Sequence, residues 1–96
     1  MPGSQQPAQR REVHFSGRVQ GVGFRFTARH MAARFPVAGF VQNLADGRVR
    51  LVAEGEPSVL DRFLAELSDE MDRYIENQQV AARPASGEFD GFEIRH

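Results

Sequence analysis

The sequence predicts a two-layer α/β sandwich, in which two helices cover one face of an antiparallel sheet. Three observations lead there. Apolar/polar alternation and helix-period stripes succeed one another in the order β-α-β-β-α-β. Each of the two helical segments carries a single apolar stripe, so each has one face to bury. A short apolar segment near the end supplies a brief fifth strand, and the whole order is that of the ferredoxin-like α+β arrangement.

Residues 1–10 are polar, hold Pro and Gly and show no period, so they read as a flexible tail ahead of one domain over 11–96. The first strand is expected at 11–16, with Val13 and Phe15 on one face and Glu12, His14 and Ser16 on the other. The glycine-bearing stretch 17–23 follows, and then a helix over 24–35. Its apolar residues Phe24, Ala28, Met31, Ala32 and Phe35 fall on one side, and Pro36 stops it. A second strand is expected at 37–43 and a hairpin at Asp46-Gly47. The third strand, 48–54, sets Val49, Leu51 and Ala53 against Arg48, Arg50 and Glu54. Those charges would discourage chain-to-chain pairing if this strand lay at an edge.

Pro57 suits the first turn of the second helix, whose stripe is Val59, Leu60, Phe63, Leu64 and Leu67. Met71 and Ile75 prolong that spacing, so residues 68–76 are open to several readings. We expect a loop there, then a fourth strand over 74–82 and a closing strand over 91–95.

Ninety-six residues with 41% hydrophobic and 26% charged content describe one small domain with a modest core. A net charge of -1 lacks the basic field of a general nucleic-acid or membrane binder. The expected partners therefore include neither. There is no cysteine, which removes disulfides, thiolate chemistry and Cys-type zinc sites and fits a reducing compartment. No apolar run reaches the length of a membrane span and no signal-peptide core is present, so a cytoplasmic location is the expectation, while small size and unremarkable surface charge favour a monomer.

Most of the chemistry legible in the residues lies between Gly17 and Arg25. Gly17, Gly21 and Gly23 let the backbone turn several N–H groups one way, and a helix N-terminus follows. Such a concave set of donors suits a phosphate-sized anion. A tight strand-to-helix connection explains the same glycines equally well. Arg25 tilts the balance, because a cation in a first helical turn opposes the macrodipole unless an anion sits beside it. Arg18 and Arg29 add positive charge nearby. The stretch has no P-loop lysine, and Phe26 stands where a dinucleotide fingerprint needs glycine. Asn43 either starts the hairpin or holds a water through its carboxamide, and spacing does not choose between these. Ser16 and Thr27 flank the loop but have no base beside them. His14, His30 and His96 lie on three elements without ligand spacing, so no metal site is expected.

The segment Gly17-Arg18-Val19-Gln20-Gly21-Val22-Gly23-Phe24-Arg25 resembles the signature of acylphosphatases. Gly39-Phe40-Val41-Gln42-Asn43, followed by Asp46-Gly47, is similar to that family's second motif, and residues 86–95 to its C-terminal segment. The resemblance spans about 13–95. It implies hydrolysis of the carboxyl-phosphate bond of small acyl phosphates, with neither metal nor cofactor nor covalent intermediate. It further implies that Arg25 binds the phosphate together with the main-chain amides of Arg18, Val19, Gln20, Gly21, Val22 and Gly23. Asn43, on the same resemblance, orients the attacking water. Phe40 replaces a frequent tryptophan, and 68–73 lacks the Gly-Pro that commonly follows the second helix. The alternative is a non-catalytic module of the same fold that binds phosphate or carboxylate on a partner. Similar domains occur within larger carbamoyl-transferring proteins that mature hydrogenases.

Overall fold

The structure, a computed structural model, describes residues 7–96. Its elements are β1 (Gln9–Gly17), α1 (Phe24–Ala32), β2 (Ala38–Asn43), β3 (Val49–Gly55), α2 (Pro57–Glu70), β4 (Ile75–Pro84) and β5 (Phe92–Arg95). One turn of 3-10 helix, Asp72–Tyr74, links α2 to β4. The expected two-layer ferredoxin-like sandwich is present. The sheet order is β4-β1-β3-β2-β5, and Val13, Phe15, Leu51 and Val41 face the apolar stripes of the two helices.

Several boundaries differ from those expected. β1 begins at Gln9, so Gln9 and Arg10 belong to the sheet, whereas most of the expected tail (1–6) lies outside the described residues. α1 ends at Ala32 instead of Phe35. Arg34 and Phe35 donate to the carbonyls three residues back, those of Met31 and Ala32, which tightens the chain into a turn before Pro36. α2 runs on to Glu70 where a loop was expected from residue 68. Met71, only 3% exposed, extends the buried stripe of Leu60, Phe63 and Leu67 by one more turn. β4 shows poor alternation because it is an edge strand with nearly every side chain exposed. β3 is central, so its charges guard no edge. They form ion pairs on the outer face instead, as in Arg50 with Glu12 at 3.4 Å.

The sheet is also mixed. β1 through β4 pair antiparallel, but β5 pairs parallel with β2. β4 and β5 are therefore opposite edges of the sheet, and residues 85–91 must cross between them. They cross on the face away from the helices. There Phe89 packs on Phe40 with ring centroids 5.8 Å apart, and the buried Val52 pairs with Phe40 in the ladder. The guanidinium of Arg95 stacks 3.8 Å from the centroid of Phe40.

The crossing segment is fastened by Glu54, a carboxylate that is only 7% exposed. Its Oε2 accepts from Arg10 Nε at 2.8 Å and from both the backbone N–H and hydroxyl of Ser86 at 2.9 Å. Its Oε1 accepts from Gly87 N at 3.0 Å. Burial alone would raise the pKa of this carboxyl. The Ser86 and Gly87 donors and the Arg10 guanidinium outweigh burial and lower it to about 2. A folded-state pKa below the unfolded value stabilises the fold above about pH 4.5, and that stability is lost as pH falls toward 2. We therefore expect urea-unfolding free energy to drop by on the order of 2 kcal/mol across that window. In Glu54→Gln the drop should be clearly smaller, with lower stability at neutral pH.

Candidate active site

β1 and β2 run in the same direction on either side of β3, and the register fixes where they end. Val49 pairs with Phe15 on one side and with Asn43 on the other. The chain leaving β1 and the last residue of β2 thus emerge side by side at one end of the sheet. Parallel β5 finishes there too, with Arg95 opposite Gln42.

The loop 18–23 is fastened from below. Val19 is fully buried, and Val22 packs against the core at its edge. Phe15, near the end of β1, and Phe24, the first residue of α1, meet at 4.8 Å between ring centroids and fix where α1 begins. Gly21 and Gly23 both have φ near +77°, and a Cβ at either would meet nothing within 4 Å. Their requirement is backbone conformation, not space. Gly17 differs, because a Cβ there would run into the Tyr74 carbonyl oxygen and lie 2.8 Å from Glu76 N. It allows β4 to approach.

Gly23 occupies the N-cap of α1 and offers no side-chain cap, and no acidic residue lies in the first turn. Among the described residues, the N–H groups of Val19 to Gly23 have no hydrogen-bond acceptor in the protein. Unsatisfied donors and the positive end of a nine-residue helix therefore coincide.

Val19, Gly21, Gly23, Phe24, Arg25, Phe26 and Asn43 line a pocket of ≈ 160 Å³. Of the residues singled out from the sequence, this joins Arg25 and Asn43 with the glycine loop. Arg25 is half-buried, and its Nη1 lies 3.2 Å from the Arg95 carbonyl oxygen and 3.3 Å from His96 Nδ1. β5 thus steers the guanidinium. The Oδ1 of Asn43 is buried and has no protein partner. Arg18 is exposed and its side chain is not part of the pocket. Arg29 is one turn further along α1, in a broader depression of ≈ 980 Å³ that contains neither Arg25 nor Asn43. No group of three His, Cys, Asp or Glu side chains among the described residues is placed to hold a metal ion.

One contribution was not legible in the sequence. The side chain of Gln20 turns away from the pocket, and its Nε2 donates to the carbonyls of Leu44 at 2.8 Å and Arg48 at 2.9 Å. One carboxamide thereby ties the loop to the hairpin that carries Asn43. The hairpin itself is closed by Leu44 N to Arg48 O at 2.8 Å and by Asp46, whose carboxylate accepts from Arg48 N at 3.0 Å and Arg48 Nε at 2.9 Å. Backbone donors still satisfy both carbonyls when Gln20 is truncated, so the loss is moderate. Gln20→Ala is expected to lose about 1–2 kcal/mol, lowering Tm by roughly 5–10 °C. Amide exchange at Leu44 and Gly47 should quicken.

Comparison with known proteins places the chain in a family. The acylphosphatase family model matches residues 11–94. An acylphosphatase of Rubrobacter xylanophilus is 42% identical over 93 residues, 96% of this chain and 84% of that one. The crystal structure of an acylphosphatase from Bacillus subtilis superposes with a TM-score of 0.83 at 28% identity, covering 92% of this chain and 99% of that one. A crystal structure of full-length HypF in its phosphate- and nucleotide-bound form is similar across the whole of this chain, with a TM-score of 0.81 at 26% identity. The match takes up 13% of the HypF chain. No helix of the described residues is long and apolar enough to cross a membrane.

Proposed function

This chain belongs to the acylphosphatase family, and from that premise we propose that it hydrolyses the carboxyl-phosphate bond of small acyl phosphates in the pocket between Arg25 and Asn43. One observation carries the residue assignment. Asn43, whose side-chain Oδ1 is buried without a protein partner, lines the same small pocket as Arg25, Gly21 and Gly23.

The chemistry asks little of the protein. The leaving group is a carboxylate whose conjugate acid has a pKa of about 4, so it departs without a general acid. Phosphoryl transfer then depends on positioning and on stabilising charge at the equatorial oxygens. The amides from Arg18 to Gly23 and the N-terminus of α1 surround the phosphoryl oxygens, and the Arg25 guanidinium closes the cradle. Once a phosphoryl group arrives, it supplies the anion that offsets the unfavourable placement of Arg25 against the helix dipole. Asn43 Oδ1 accepts a hydrogen bond from water and turns a water lone pair toward phosphorus. Attack forms the new P–O bond as the bond to the acyl oxygen breaks, and a phosphate oxygen takes the water's proton. No metal takes part in this scheme.

A second reading, an accessory module that binds phosphate or carboxylate on a partner, draws support from the likeness to one part of the HypF chain. Turnover separates the two. With benzoyl phosphate as substrate, Asn43→Ala should lower kcat by about 10²–10³ while inhibition by inorganic phosphate stays at its wild-type level. Arg25→Ala should lose both turnover and phosphate inhibition. Wild-type kcat in Asn43→Ala would remove the role given to that residue. A purified chain that binds phosphate without turnover would favour the module.

A further inference from the structure

Phe26 is the third residue of α1 and is 64% exposed, whereas Phe24 two positions earlier is 2% exposed and packed in the core. Among the described residues the only other exposed large apolar side chain is Val80, on the edge strand β4. A single exposed apolar side chain is ordinary on a protein surface, so what sets Phe26 apart is where it stands. That place is specific. Phe26 lines the ≈ 160 Å³ pocket with Arg25 and Asn43, and it alone of those residues also lines the ≈ 980 Å³ depression along α1, beside Thr27, His30 and Phe92. It is the one residue common to the linings of the two.

Pockets that enclose a whole small ligand run to about 300–1,000 Å³, so the smaller one has room for a phosphoryl group and little more. Whatever is bonded to that phosphoryl group has to leave through the pocket mouth. We propose that Phe26 is the platform on which the acyl end of the substrate lies, and that it biases this protein toward aromatic and bulky apolar acyl phosphates over acetyl-sized ones. The inference rests on the hydrolase reading above and adds the substrate class to it. An apolar acyl group crossing into the depression covers the exposed ring, and an aryl group gains an offset or edge-to-face contact with it as well. An acetyl group is too short to cover more than the ring edge. The preference is a matter of contact with the acyl carbons, and the phosphate contacts stay as they are.

The test is the ratio of kcat/KM for benzoyl phosphate to that for acetyl phosphate, measured in the wild type, Phe26→Leu and Phe26→Ala. The ring is exposed, so both variants should fold, with Tm within a few degrees of wild type. The ratio should fall about three- to tenfold in Phe26→Ala, mainly through KM for benzoyl phosphate, and by an intermediate factor in Phe26→Leu. An unchanged ratio, with the wild type active on both substrates, overturns the role of Phe26 and leaves the hydrolase reading standing. A wild-type protein inert toward both substrates overturns the hydrolase reading and takes this inference with it.

Discussion

Val49 pairs on both flanks, with Phe15 in β1 and Asn43 in β2, and the candidate site depends on that double register. Backbone hydrogen bonding to one central strand sets Phe15, two residues before the end of β1, level with Asn43 at the end of β2, and so brings the loop after β1 to the side of the β2 terminus. A slip of one residue in either ladder would send alternate side chains to the wrong face, taking Val13 and Phe15 or Val41 out of the core. The apolar pattern of the core therefore enforces the geometry of the site. Fold and site share one constraint.

The remaining pieces are held by side chains acting at a distance from the pocket. Gln20 joins the loop to the hairpin. Glu54 holds the crossing segment through Ser86 and Gly87, and that segment delivers β5 to the edge of the sheet beside β2. β5 in turn presents the Arg95 carbonyl to the Arg25 guanidinium. A carboxylate on the outer face is thus linked to an arginine at the pocket through residues 86–95, the last four of them the short parallel strand. The energetic weight falls on Glu54, because it is buried and charged and depends on every one of its donors.

The sequence made the central layout legible because its signals were local. Alternation in β1 and β3, the stripe of α1, Pro57 and Asp46-Gly47 each act within a few residues, and each marks an element that is present. It misled where the deciding partner was remote. Met71 reads as ambiguous until the core that buries it is known, and β4 alternates poorly because side chains on both of its faces are largely exposed. The parallel pairing of β5 depends on a crossing segment held by Glu54, thirty-odd residues away in the chain, which no local pattern announces. At the candidate site, the glycines and Arg25 could be singled out from composition and helix electrostatics alone. Asn43 could not, since its nearness to the loop is a property of sheet register; the resemblance to a family supplied it. The Gln20 side chain went unread for the same reason, as its acceptors lie 24 and 28 residues on.

Gln20 and Asn43 carry the same functional group and meet opposite fates. The Gln20 amide nitrogen donates to two backbone carbonyls, and the residue acts as a strut. Asn43 keeps a buried oxygen with no protein donor, the one such side-chain atom among the described residues. Leaving a buried acceptor unpaired costs about 1–3 kcal/mol, which a small domain with little stability to spare does not retain without return. An alanine in the same place would leave the β2–β3 ladder intact, because the ladder uses only backbone groups. The cost falls at the one pocket where the loop donors and the helix end also lack partners, and where the Arg25 guanidinium stands beside them. An anion on the donors and a water on the acceptor would satisfy both sets together. Local deficits of opposite kind, brought to one cavity by an otherwise well-satisfied fold, are the physical ground for the proposed reading of this pocket as a phosphoryl site.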